Sequence, residues 1–399
     1  MESILNLVLS DHAAFAITDA SSVAVARRGA LDAARRVGLN EVDSGRVALV
    51  ITEAATNILK HAGQGEILVR PLFATDSGKD LSQVPAGRRN AASAAAVELI
   101  ALDNGVGIAD LNAAFKDGYS STETSGTGLG AMRRLSDDLA IYSQVGFGTA
   151  IRLIVQVRLT HAERSMDVPD EQHASTSPRW GDRNPPDEID VGSIGVPYPG
   201  EEVCGDAWSL QSDATGVSLL VVDGLGHGPL ARQAAAEAVN VFQSQPDRSP
   251  GDLLELMHRA LGSTRGAAAA VARIDFKTRR VVFAGIGNIA ASVSGMDPTS
   301  ADKPGYGALH PNHSRSTRQL ASHNGIVGHG MRKSQEFTVP WLEEGTLIMH
   351  SDGLATRWDL SKYPGLSNQR AALIASVLYR DFSRRNDDAT VVVVKMNHH

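Results

Sequence analysis

An α+β protein of two domains is what this sequence predicts, on three observations. The chain has 399 residues, more than one ordinary core holds, since domains mostly span about 50 to 250 residues. A polar, proline-bearing stretch without periodicity, THAERSMDVPDEQHASTSPRWGDRNPPDEIDVG, interrupts it and reads as a linker. On either side, apolar runs of strand length alternate with helical patterns and glycine corners. The expected boundaries are residues 1–158 for the first domain, 159–187 for the linker and 188–399 for the second domain.

Composition narrows the function classes. Apolar residues make up 42% of the chain and charged residues 21%, the balance of a soluble globular protein. A formal net charge of -7 argues against a general nucleic-acid binder, which needs a basic face for the phosphate backbone. No apolar run approaches the ~18 to 20 residues that span a bilayer, and the N-terminus MESILNLVLSDHAAF lacks the basic start of a secretory signal. A cytoplasmic protein with no membrane partner is expected. The single cysteine, Cys204, excludes an intrachain disulfide and a Cys-cluster metal site, and reads as a small buried hydrophobe.

In the first domain, GRVALVITEAATNILKHA (45–62) reads as a helix with Val47, Val50, Ile51, Ala54, Ala55 and Ile58 on its apolar face. Glu53, Asn57 and His61 recur every four residues and share the opposite face. A carboxylate one turn from a carboxamide suits a base beside a magnesium ligand, because Mg²⁺ takes oxygen donors. Taken alone, the helix favours the plainer reading of a solvated polar stripe. The strand-like VELIALD then ends at Asp103 and is followed by Gly105 and Gly107, where backbone can approach a ligand closely. In SSTETSGTGLGAMRRLSDDL, Gly126, Gly128 and Gly130 lead into a helix expected at Ala131, an arrangement in which backbone N–H groups cradle phosphate. A Rossmann reading fails, because no strand directly precedes these glycines. GFGTAIRL supplies a last tight turn into a strand. The irregular stretch 74–96 is expected to extend a hairpin between two paired strands.

Those four elements in that order resemble the GHKL ATPase fold, a Bergerat α/β sandwich, and within it the small anti-sigma-factor serine kinases of the RsbT and SpoIIAB type. The resemblance covers nearly all of residues 10–158. It implies Asn57 as the Mg²⁺ ligand, Asp103 as the carboxylate that reads adenine, Thr149 as a second contact near the adenine, and Glu53 as the general base. Gly105 and Gly107 would line the ATP pocket, and Gly126, Gly128 and Gly130 would close over the phosphates. One departure stands out: from Tyr119 through Ala131 there is no Lys or Arg to meet a γ-phosphate. Nucleotide binding is therefore better supported than phosphotransfer.

The second domain places aspartates at strand ends: Asp206 in EEVCGDAW, Asp223 in VVDGLGHG, Asp352 in HSDGLA and Asp387 in NDDATVVVV. Any one Asp-Gly corner is an ordinary turn. Four carboxylates converging from neighbouring strand ends make an oxygen-rich cage, which hard cations such as Mg²⁺ or Mn²⁺ favour. Gly224 lets its backbone carbonyl join the set. His227 is read as fixing its loop ahead of donating a proton, and His350 as core or support for the cage.

This set resembles the metal-dependent phosphatases of the protein phosphatase 2C class, in the SpoIIE and RsbX branch with its Asp-Gly-X-Gly-His-Gly corner. Over residues 188–396 the resemblance implies an α-β-β-α domain in which Asp223 bridges two metals, the Gly224 carbonyl binds one, Asp206 and Asp352 complete the other side, and Asp387 rather than Asp388 is the last ligand. Together the halves imply a partner-switching regulator. It would dephosphorylate serine or threonine on a STAS-domain anti-sigma-factor antagonist or a stressosome-like phosphoprotein, and use ATP in its kinase-like half. Related kinases often dimerise, so a homodimer is also considered. Two alternatives remain: a phosphatase with a purely ATP-sensing N-terminal domain, and a non-catalytic anti-sigma-type binding protein, against which the complete carboxylate set argues.

Overall fold

The chain begins with a short strand, β1 (Leu5–Leu7), whose partner lies far away in sequence: it runs antiparallel with Asn6 opposite Gln211. This computed structural model describes residues 5–7, 11–73, 95–115, 128–157, 189–296, 315–331 and 333–396. Gly126 and the expected linker, 159–187, lie outside the described residues. Two compact units emerge, one of His12–Arg183 with Leu360–Gln369, the other of Met1–Asp11, Asn184–Asp359 and Arg370–His399. The first eleven residues, expected with the N-terminal domain, thus group with the C-terminal unit, because β1 pairs there.

The N-terminal unit contains β2 (Ala13–Ile17), α1 (Ala20–Val37), α2 (Glu41–His61), β3 (Gly65–Leu72), β4 (Ala96–Asp103), α3 (Leu111–Ala114), α4 (Gly128–Leu135), β5 (Asp138–Gln144) and β6 (Gly148–Gln156). Its strands form an antiparallel sheet in the order β2-β3-β4-β6-β5. Period-two alternation sends Ile67, Val69, Val97, Leu99 and Leu153 to one face, where α2 buries all six of its expected apolar residues. The pairing of Leu72 with Ala96 shows that the stretch between them does join paired strands.

Helix boundaries follow their caps. Asp19 accepts from the N–H groups of Ser21 and Ser22 to open α1, which stops at Gly38 with φ of 76°. Asn40 accepts from Asp43 N at 2.8 Å, so α2 starts at Glu41, before the expected position 45. The chain is already helical at Gly128, three residues ahead of the expected start at Ala131. A Cβ on Gly128 would stand 3.1 Å from Asn57 Oδ1 and 3.3 Å from Glu53 Oε2, so the glycine lets α4 close onto α2.

The C-terminal unit contains β7 (Ile189–Val196), β8 (Asp206–Asp213), β9 (Gly216–Gly224), α5 (Pro229–Ser244), α6 (Pro250–Ala260), β10 (Ala267–Asp275), β11 (Arg280–Ile286), β12 (Ala290–Met296), β13 (Arg315–Leu320), β14 (Phe337–Pro340), β15 (Glu343–His350), α7 (Ala371–Phe382) and β16 (Ala389–Met396). Among the described residues these strands form a six-stranded sheet, β1-β8-β9-β10-β11-β14, and a five-stranded one, β13-β12-β15-β16-β7. The inner faces pack through Leu219, Val221, Ala270, Leu347, Met349 and Val392. Helices α5 and α6 cover the outer face of the first sheet, and α7 lies on β7 and β16. The layers are therefore helix, sheet, sheet, helix. A Cβ on Gly192 would fall 2.0 Å from Ala372 N, which is why α7 can approach β7 so closely. α6 is short but well specified: Ser249 caps it, Pro250 occupies the first turn, and Leu253, Leu254 and Met257 are buried.

Candidate active sites

β8 and β9 are neighbours, and their register sets Asp206 directly opposite Asp223. Asp206 is 1% exposed at the first position of β8; its Oδ2 accepts a 2.6 Å hydrogen bond from Ser351 Oγ, while its buried Oδ1 has no hydrogen-bond partner. Burial, and then the Asp223 charge beside it, push the Asp206 carboxyl well above its usual range. Asp223 is pushed up from 3.8 to about 7, again by burial first and then by Asp352, against the opposing hydrogen bond from Asn288. Asn288 Nδ2 donates to Asp352 Oδ2 at 2.7 Å and to Asp223 Oδ2 at 3.2 Å, so one amide gathers two carboxylates.

Two aspartates stand next to each other just before β16. Asp388 is buried and its Oδ1 accepts from Tyr198 N at 2.8 Å. Asp387 titrates above its usual value, chiefly through burial and, among the neighbouring charges, through Asp352 first. Gly224 admits no side chain, since a Cβ would lie 2.1 Å from Ala231 O. His227 Nδ1 donates to Glu201 Oε1 at 2.8 Å and the ring stacks on Tyr198 at 4.4 Å, contacts that fix its loop. His350 is 2% exposed, pairs with Ser351 O and accepts from Trp358 Nε1, and burial holds it below its usual pKa. It is a core residue. Cys204 is buried, donates to Val196 O, and burial followed by the Asp206 charge raises its thiol well above the usual range.

Among the described residues no three His, Cys, Asp or Glu side chains close into a finished chelate. The carboxylates nonetheless fit a hard divalent cation. They are oxygen donors, they repel one another at close quarters, and Asp206 Oδ1 is buried with no partner to stabilise it.

In the N-terminal unit, Asp103 ends β4 opposite Thr149 on β6, so the two expected adenine contacts are cross-strand neighbours. Asp103 Oδ1 accepts from Gly105 N at 2.9 Å. A Cβ on Gly105 would lie 2.7 Å from Ala62 Cβ, and one on Gly107, whose φ is 72°, 2.3 Å from Gln144 O, so both glycines answer to close approach. Thr149 is 5% exposed and its Oγ1 shares a 2.9 Å hydrogen bond with Ser143 Oγ, which accepts from Ile108 N at 2.7 Å. The contacts around Gly128 bring Glu53 and Asn57 to the start of α4. Gly130 is buried inside that helix.

Sequence reasoning missed Ser143 and Asn288. Ser143 stands in a strand with nothing to mark it. Asn288 does carry a signal, since FAGIGN is an apolar run ending in a Gly-Asn corner, the same logic that exposes Asp223.

Residues 16–155 match the histidine kinase-like ATPase domain, and residues 213–397 match the Stage II sporulation protein E (SpoIIE) family. The two halves of the chain thus match two different family models, an ATPase-domain model in the first and a SpoIIE model in the second. It is 29% identical to the serine/threonine-protein kinase RsbT of Bacillus subtilis over 150 residues, covering 38% of this chain and 100% of that protein. It is 23% identical to the phosphoserine phosphatase RsbX of Bacillus subtilis over 201 residues, covering 50% of this chain and 90% of that protein. The crystal structure of RsbX in complex with magnesium superposes with a TM-score of 0.44 at 20% identity, over 54% of this chain and 98% of that one. Among the described residues no helix is long and apolar enough to cross a membrane.

Proposed function

We propose that the C-terminal domain is a phosphoserine/phosphothreonine protein phosphatase and that the N-terminal domain binds Mg²⁺-ATP, the whole chain acting as a cytoplasmic partner-switching regulator of a STAS-domain phosphoprotein. The observation that carries this reading is the meeting of Asp206, Asp223 and Asp352 through strand register and the shared Asn288 amide. Asp223, Asp206, Asp352, Asp387 and the Gly224 carbonyl would hold Mg²⁺ or Mn²⁺. Bound there, such cations supply Lewis acidity to water and neutralise phosphate charge. The chain's own residues aim the carboxylates: Ser351 orients Asp206, Asn288 orients Asp223 and Asp352, and Tyr198 N holds Asp388 so that Asp387 is left for the cage. No nucleophilic side chain is needed, and the phosphoryl group passes to water directly.

In the N-terminal domain, Asn57 would hold Mg²⁺, Asp103 and Thr149 would read adenine, Glu53 would act as base, and a serine of the same partner class would be the acceptor. A second reading, an ATP sensor without transfer, is favoured by the stretch from Tyr119 to Ala131 without Lys or Arg, and by Arg133 lying over the Phe115 ring at 5.6 Å. One pair of intact-mass experiments on a STAS-domain protein tests both. The phosphorylated protein should lose one phosphoryl group with Mn²⁺ and the parent chain but not with Asp223→Asn; persistence of the group with the parent chain refutes the phosphatase. With Mg²⁺-ATP and Asp223→Asn, a gain that vanishes when Asn57 is also replaced identifies the kinase, and no gain from an ATP-binding chain identifies the sensor.

A further inference from the structure

Asp206 opens β8, and the backbone around it is gripped by a side chain from the other end of the sequence. Asp11 lies near the backbone of Cys204, two residues before Asp206. The same carboxylate receives Arg232 Nη1, at 3.2 Å to Oδ2 and 3.5 Å to Oδ1. Arg232 Nη1 also donates to the carbonyl oxygen of Asp206 at 3.1 Å. The backbone of Asp206 is therefore tied to the Asp11 carboxylate through the guanidinium.

Arg232 is well placed for this. It sits in the first turn of α5, and its backbone N–H bonds Gly228 O at 3.0 Å, at the end of the loop that carries Asp223 and Gly224. One guanidinium thus links the two segments that supply Asp206 and Asp223, and Asp11 holds that guanidinium. Asp11 in turn follows β1, which lies beside β8 as its antiparallel neighbour. A carboxylate that precedes the entire ATPase-like domain therefore belongs to the phosphatase fold.

We infer that Asp11 is a positioning residue of the carboxylate cage: acting through Arg232, it fixes the backbone of Asp206 relative to the Asp223 loop and so sets the affinity for divalent cation. The inference rests on the phosphatase reading of the cage. Metal sites tolerate displacements of about 0.5 Å, and groups that orient a ligand change metal affinity about 10- to 100-fold when removed. Asp11→Asn keeps the shape and an acceptor oxygen and loses the charge that holds Arg232.

The test is Mn²⁺ titration by calorimetry on the full chain, with thermal melts in EDTA alongside. Asp11→Asn and Arg232→Ala should each weaken Mn²⁺ about tenfold, and the double variant should be no weaker than Arg232→Ala alone. Asp213→Asn is the control: Asp213 ends the same strand, pairs with Arg273 at 2.8 Å, and touches nothing in the cage. It should lower the melt and leave Mn²⁺ affinity within about twofold. Unchanged affinity in Asp11→Asn overturns the inference, as does an equal loss in Asp213→Asn. A parent chain that binds no Mn²⁺ overturns the phosphatase reading itself, and the positioning role with it.

Discussion

Replacing Asp223 by Asn should make the metal-free protein more stable above neutral pH while abolishing its response to metal. A carboxyl that titrates at about 7 instead of 3.8 keeps in the folded chain a proton that the unfolded chain has already released. Its contribution to stability is therefore complete below about 4, declines as pH rises, and is lost above about 7. At about 1.4 kcal/mol per pH unit the full span is about 4 kcal/mol. Asp352, Asp387 and Asp388 share the repulsion, so one substitution should release ~2–4 kcal/mol. Asparagine keeps the shape and cannot ionise. In EDTA, urea unfolding followed by tryptophan fluorescence should show this gain at pH 8 and only about a quarter of it at pH 4.5. Three of the four tryptophans, Trp208, Trp341 and Trp358, lie in the C-terminal unit, so most of the signal reports that unit. Saturating Mn²⁺ should stabilise the parent, by about 2.7 kcal/mol at a hundredfold excess over Kd, and leave the variant unmoved. Equal stability of the two proteins at pH 8, or the same difference at both pH values, would refute the argument that these carboxylates are crowded in readiness for a cation.

Three further substitutions separate structural from functional roles. Asn288→Ala removes the amide shared by Asp223 and Asp352 and should weaken Mn²⁺ about 10- to 100-fold by calorimetry, with the melt in EDTA little changed. Ser351→Ala leaves Thr390 N–H and Asp206 Oδ2 without their common hydroxyl partner in the core, so urea unfolding should show a loss of about 1–3 kcal/mol. Gly128→Ala adds up to ~1 kcal/mol of helix propensity while pressing on Asn57 and Glu53. The melt should hold or rise while affinity for a fluorescent ATP analogue falls about tenfold; unaltered affinity would remove Asn57 from the nucleotide site.

What the sequence made legible is local. Asp223, Asp352 and Asp103 each close an apolar run against a glycine, and that corner needs only a few consecutive residues to be read. The buried face of α2 was legible for the same reason, because helical periodicity is a short-range property. Strand order was not. The pairing of β1 with β8 joins residues about two hundred positions apart, and no periodicity records which edge a three-residue strand will choose. Gly128 and Gly130 illustrate a subtler limit: a glycine needed for helix-to-helix approach and one needed for a phosphate loop look alike in sequence, and the structure places these two inside α4.

The Asp387–Asp388 pair is a choice that neighbouring residues bear on. Both carboxylates stand just before β16, Asp387 in a bend and Asp388 buried, with Asp388 Oδ2 lacking a hydrogen-bond partner. Asp388 Oδ1 is committed to Tyr198 N, which anchors the chain leaving β7. Asp387 is left with Asp352 as the leading like charge on it, the relationship expected of cage neighbours. The same logic reaches Asp11. A ligand's neighbours matter as much as the ligand, because a carboxylate binds metal only from a backbone that does not yield, and the groups that stiffen Asp206 are a serine from the end of β15, an arginine from α5 and an aspartate from the first turn of chain before β2. Three separate parts of the sequence must fold before that one carboxylate is held in place, and no short-range pattern in the sequence records such a convergence.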